Sequence, residues 1–85
     1  LNAERKGFSY YPNPSPDKKI TIETLEDIDR ATVTIFNLKG VPYFTEYVEL
    51  FDSPKTFNLK DLPYGRYVIK VRNNRSSFSG KLMVE

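Results

Sequence analysis

Glu23, Glu26, Asp27 and Asp29 gather four carboxylates within one short stretch. Paired carboxylates hydrolyse glycosidic bonds when a cleft holds them at a fixed separation, and a single small domain of 85 residues offers little cleft. Calcium takes oxygen ligands without help from His, but the spacing matches no calcium-loop pattern. Ser and Thr hydroxyls are plentiful, yet the chain has no His to serve as their base. Cys is also absent, which removes the other usual ligand of zinc and transition metals, any disulfide framework and any thiolate nucleophile. The expectation is a domain with no catalytic centre, no metal and no cofactor.

Cations form a second group. Arg66, Lys70 and Arg72 share the outward face of one alternating segment, and Lys81 falls on the strand expected beside it. Such a ribbon is either a basic patch facing a partner or an acidic polysaccharide, or simply a solvated sheet surface. With 13 basic and 11 acidic side chains the net charge is only +2, too balanced for a nucleic-acid binder. Tyr43, Phe44 and Tyr47 are a third group. Aromatics on both faces of a strand leave one face exposed for contact with protein or glycan, whereas Tyr10, Tyr11, Tyr67 and Phe78 read as core.

The elements that must position these residues are strands. Lys19-Ile20-Thr21-Ile22-Glu23-Thr24-Leu25 alternates with Ile20 and Ile22 on one face, the period of a half-buried strand. Ala31-Thr32-Val33-Thr34-Ile35-Phe36-Asn37 alternates again and is rich in β-branched residues. The acidic run 26–30 between them reads as a connector. Phe8-Ser9-Tyr10-Tyr11 is a short aromatic strand halted by prolines at 12, 14 and 16. Residues 41–50 are extended, with Pro42 arguing for an edge strand or a bulge, and Phe51-Asp52-Ser53-Pro54 breaks them. Residues 55–59 form a short strand. Tyr67, Ile69 and Val71 face inward on the next, and Phe78, Gly80, Leu82 and Val84 face inward on the last. Seven short strands with turns between them predict an all-β, Ig-like or fibronectin-like sandwich with Greek-key connections. No apolar run approaches the roughly 20 residues of a membrane-spanning helix.

Leu62-Pro63-Tyr64-Gly65-Arg66-Tyr67 is the most informative segment. Pro63 presets a turn, Gly65 tolerates a positive φ, and Tyr67 heads an alternating strand. That spacing suits a tyrosine corner, in which a buried ring returns its hydroxyl to backbone a few residues upstream; the alternative is a plain core aromatic.

Four stretches resemble one family. Tyr11-Pro12-Asn13-Pro14 with Lys19-Ile20-Thr21-Ile22 is similar to the opening of the type A C-terminal sorting domain of type IX (Por) secretion. Val33-Thr34-Ile35-Phe36-Asn37-Leu38-Lys39-Gly40 resembles its middle motif, which closes in Asn-x-x-Gly. Asp61-Leu62-Pro63-Tyr64-Gly65-Arg66-Tyr67 and Lys81-Leu82-Met83-Val84-Glu85 resemble the last two motifs. The resemblance spans residues 8–85 in the family's order. It departs at Val41-Pro42, where the family often has a polar residue and then an aliphatic one, and this bears on the local strand pairing.

The resemblance implies an export signal rather than an enzyme. Its partners would be an upstream cargo domain, an outer-membrane translocon and a sortase-like cysteine protease that cuts before the domain and attaches the cargo to anionic lipopolysaccharide. The protein would pass through the periplasm and end secreted or on the outer surface. Residues 1–7, which start without Met, read either as linker from the cargo or as an arbitrary boundary, and residues 8–85 as the domain. Lys81, Leu82, Met83, Val84 and Glu85 are the expected recognition element, since a terminal edge strand can add to a sheet of a receptor. Leu82 and Val84 read first as core, and it is the resemblance that adds recognition to them. The competing function is an Ig-like or fibronectin-like binding or spacer module with no export role.

Overall fold

The computed structural model describes residues 7–12 and 17–85. Seven strands follow one another: β1 (Phe8–Tyr11), β2 (Lys19–Thr24), β3 (Ile28–Asn37), β4 (Pro42–Phe51), β5 (Lys55–Asn58), β6 (Gly65–Arg72) and β7 (Ser77–Val84), with no helix among the described residues. They form two antiparallel sheets, β1-β2-β5 and β4-β3-β6-β7, packed as a sandwich. The chain crosses between sheets after β2, after β4 and after β5, the winding expected of Greek-key connections. β4 pairs with β3 rather than joining β5, which distinguishes this fibronectin-like arrangement from the constant-type immunoglobulin order.

Alternation explains the core. Ile20 and Ile22 of β2, Ala31, Val33 and Ile35 of β3, Tyr67, Ile69 and Val71 of β6, and Leu82 and Val84 of β7 are all buried in one cluster. Each aliphatic side chain removed from water contributes roughly 1.5–3 kcal/mol before chain entropy is set against it. Three expectations need correction. β3 begins at Ile28, so residues 28–30 are strand and not connector; Arg30 takes φ 52, and inward positions run Ile28 then Ala31, a spacing of three that disguises the strand's period. Phe51 does not break β4 but ends it, fully buried. Leu25 lies outside β2 and is exposed. Pro42 behaves as its chemistry requires: β4 is an edge strand, and the pairing of β3 with β4 shifts register between Ile35 and Phe36, where Phe36 meets Pro42.

The corner before β6 is present. The Tyr67 hydroxyl donates to the Pro63 carbonyl, the ring is 4% exposed, and Tyr43 packs edge-on against it at 5.9 Å. Leu62 beneath it is buried and donates its N–H to the Leu59 carbonyl. Gly65 has φ 153.

The two sheets are also closed along one side, where β1 and β7 are both edges. Phe8 stacks on Phe78 at 5.8 Å and on Tyr10 at 5.2 Å. The Tyr10 hydroxyl reaches across to the Lys81 carbonyl at 2.7 Å. Gly80 makes this possible, because a Cβ there would overlap the Tyr10 phenol. A strand glycine marking close approach of another element is the physical signal here.

Burial raises the pKa of Tyr67 above its ordinary value of 10.0, and burial does the same for Tyr10. A phenol that holds its proton more tightly when folded contributes stability that is intact below pH 10 and lost as pH rises through the folded value. Urea unfolding should therefore show stability falling above pH 10, with a shallower fall in Tyr67→Phe. At neutral pH Tyr67→Phe should cost about 1 kcal/mol, the worth of the lost hydrogen bond. Gly80→Ala should cost about 1–3 kcal/mol by overpacking. In a Tyr10→Ala background that cost should shrink by at least about 0.5 kcal/mol, the coupling expected of residues in contact.

Candidate functional site

β7 pairs with β6 from Ser77 opposite Arg72 to Val84 opposite Gly65. Its side chains divide by the pleat. Leu82 and Val84 are core; Lys81 is exposed on the outer face, Met83 is half-buried there, and Glu85 follows the strand, exposed. The residues expected to carry recognition are thus two anchors and three surface groups on one edge ribbon. On the flank of β7 away from β6, the Tyr10 hydroxyl meets the Lys81 carbonyl, a contact that sequence reasoning missed although Gly80 carried the signal for it.

Register sets the neighbours of this ribbon. Met83 lies opposite Arg66 and Lys81 opposite Val68, so cations and apolar side chains alternate diagonally on the outer face. Together with Leu38 they line a shallow groove of about 420 Å³. Leu38 comes from the turn between β3 and β4. There the Asn37 Oδ1 accepts the N–H groups of Lys39 and Val41, both at 2.9 Å, and Gly40, at φ 87, donates its N–H to the Asn37 carbonyl. The Asn-x-x-Gly motif therefore holds Leu38, 67% exposed, beside the terminal ribbon.

The basic residues fall as the alternation predicts. Arg66 and Arg72 are exposed and Lys70 half-buried, all on the outer face of β6. Thr32 and Ser77 flank Arg72, and Thr34 and Ser79 flank Lys70. The cations are not gathered into a single point; they run along the strand. Tyr43 and Tyr47 are exposed, while Phe44 turns inward onto Phe57 at 6.1 Å. The Tyr47 hydroxyl donates to Glu49 Oε1 at 2.9 Å, and this bond, more than desolvation, raises its pKa against the opposing charge of Arg30.

The carboxylates are divided. Glu23 lies on β2 and accepts the Tyr11 hydroxyl at 2.8 Å, whereas Glu26, Asp27 and Asp29 border a crevice of about 470 Å³ at the other sheet. Among the described residues no three acidic groups are arranged to hold a metal. Tyr11 departs from its expected place in the core: it is 44% exposed, its ring lying over the outer face of the three-stranded sheet. Its peptide bond to Pro12 is cis, and Asn13 and Pro14 lie outside the described residues.

Edge ribbon, corner and Asn-x-x-Gly turn coincide with the stretches that carried the family resemblance. The comparison with curated proteins gives no match. The family model of the secretion system C-terminal sorting domain matches residues 9–85, from β1 through β7. That family consists of non-catalytic export signals, and membership implies a type IX secretion signal, interaction with secretion machinery and an exported cargo. The chain belongs to the Por secretion system C-terminal sorting domain family.

Proposed function

We propose that the outer-membrane translocon of type IX secretion reads this export signal at the ribbon of Lys81, Leu82, Met83, Val84 and Glu85. In this reading Leu82 and Val84 hold the ribbon on the core while Lys81, Met83 and Glu85 meet the receptor, with Arg66 and Leu38 beside them. The observation that carries it is the groove: the outer side chains of β7, an edge strand among the described residues, continue into an apolar groove bordered by cations. Such a groove gives side-chain selectivity for a partner segment. Residues 1–7 act as the linker from an upstream cargo domain, residues 8–85 as the folded label. A sortase-like cysteine protease cuts within that linker after passage through the periplasm, leaving the cargo secreted or held on the outer surface.

Residues 1–85 fused behind a periplasmic reporter, in a host with the machinery, should bring the reporter to the cell surface. Deleting residues 81–85 should leave it in the periplasm. Because Leu82 and Val84 are core, that deletion also removes about 2–5 kcal/mol of packing per side chain, so a second variant separates folding from reading. Lys81→Glu with Met83→Glu leaves the core anchors Leu82 and Val84 in place; it should keep the melting temperature within a few degrees while cutting surface display by roughly tenfold, the loss expected when one interface charge is reversed and another added. Export of the folded double variant at the parent level would overturn the reading.

A further inference from the structure

At the end of the four-stranded sheet away from the groove, Arg30, Thr32, Arg72, Asn73 and Asn74 enclose a polar hollow of about 320 Å³. Its walls are fixed. Asn73 Nδ2 donates to the Asp29 carbonyl at 2.9 Å, and Asn73 Oδ1 accepts the N–H groups of Arg75 and Ser76, each at 2.9 Å. The loop is thereby pinned to the strand that carries Arg30, whose φ of 52 lies where the inward–outward alternation of β3 slips. No carboxylate lines the hollow. Asp29 stands 3.5 Å from the Arg30 guanidinium, with the two side chains 48% and 68% exposed, and an exposed pair of that kind holds an arginine only weakly.

The hollow is the end of a track. From Arg72 the cations continue to Lys70 and Arg66 along β6, about 20 Å at roughly 3.3 Å per residue. Among the described residues none of these three is in a salt bridge with a carboxylate. Hydroxyls of Thr32, Thr34, Ser77 and Ser79 flank Arg72 and Lys70, half-buried Val68 stands between Lys70 and Arg66 with Phe36 and Lys81 on either side, and Tyr47 lies opposite Thr32.

We propose that this face binds an acidic polysaccharide, with one of its anionic groups seated between Arg30 and Arg72. Two guanidinium forks suit a carboxylate, sulfate or phosphate, the hydroxyl rows suit sugar hydroxyls, and the Tyr47 ring offers a face to a pyranose. A protein partner would look for a buried aromatic or aliphatic anchor; around Arg72 and Lys70 this face has Thr and Ser, and half-buried Val68 and Phe36 come only between Lys70 and Arg66. A single-stranded nucleic acid would look for an aromatic ring beside each cation, whereas Arg72 and Lys70 are flanked on β6's two neighbouring strands by hydroxyls. The track ends at Arg66 beside the terminal ribbon, but the hollow of Arg30 and Arg72 lies at the other end of the sheet and stands or falls independently of how the translocon reads the ribbon.

The test is titration of the whole domain with polygalacturonate and with dextran sulfate, using uncharged dextran and poly(dT) for comparison. Binding to at least one of the acidic polysaccharides is expected, weakening as NaCl rises from about 50 to 300 mM, and which of them binds identifies the anionic group. Arg30→Gln and Arg72→Gln should each weaken binding roughly tenfold with an unchanged melting temperature. A failure to bind either acidic polysaccharide, equal binding of dextran, binding of poly(dT) as tight as that of the sugars, or full affinity in both variants would each overturn the proposal.

Discussion

The hydroxyl of Tyr67, held by the Pro63 carbonyl, fixes where β6 starts, and the functional face is counted from that point. A strand slipped by one residue exchanges its faces. Were β6 to slip, Ile69 and Val71 would meet water while Lys70 and Arg72 entered the core. With the corner in place, β6 hands its register to both neighbours: Thr32 and Thr34 of β3 on one side, Ser77 through Val84 of β7 on the other. The cationic track and the pairing of Arg66 with Met83 both descend from one local constraint.

A domain this small buries only about 60–65% of the surface its unfolded chain exposes, and it has no disulfide. Edges matter accordingly. β4 is bent by the register shift opposite Pro42, which disfavours its pairing with another chain. β7 is eight residues long, and Tyr10 touches it on the side away from β6. Leu82 and Val84 keep β7 attached to the fold.

How much of this was legible in the sequence depends on range. The alternation of β2, β6 and β7, the corner at Leu62-Pro63-Tyr64-Gly65-Arg66-Tyr67 and the turn at Asn37 are local, and local chemistry specifies them. The start of β3 was hidden because Arg30 in the left-handed region breaks the period that reveals a strand. The place of Tyr11 was hidden because its partner, Glu23, is a cross-strand diagonal neighbour and no run of residues announces that. The polar hollow was hidden for the same kind of reason: it exists only once Asn73 meets Asp29 across 44 residues of chain. The sequence marked Arg72 as outward-facing, but its convergence with Arg30 depends on the sheet being assembled.

The clasp between Tyr10 and Lys81 has a mechanical meaning. Among the described residues, Phe8 and Tyr10 are the first strand residues met by tension arriving from the front, and they grip Phe78 and Lys81 directly. Load applied at the front of the domain therefore reaches the last ribbon through this clasp as well as entering the sheet through β2. Tether and address behave as one mechanical part, and a tug on either is felt by the other.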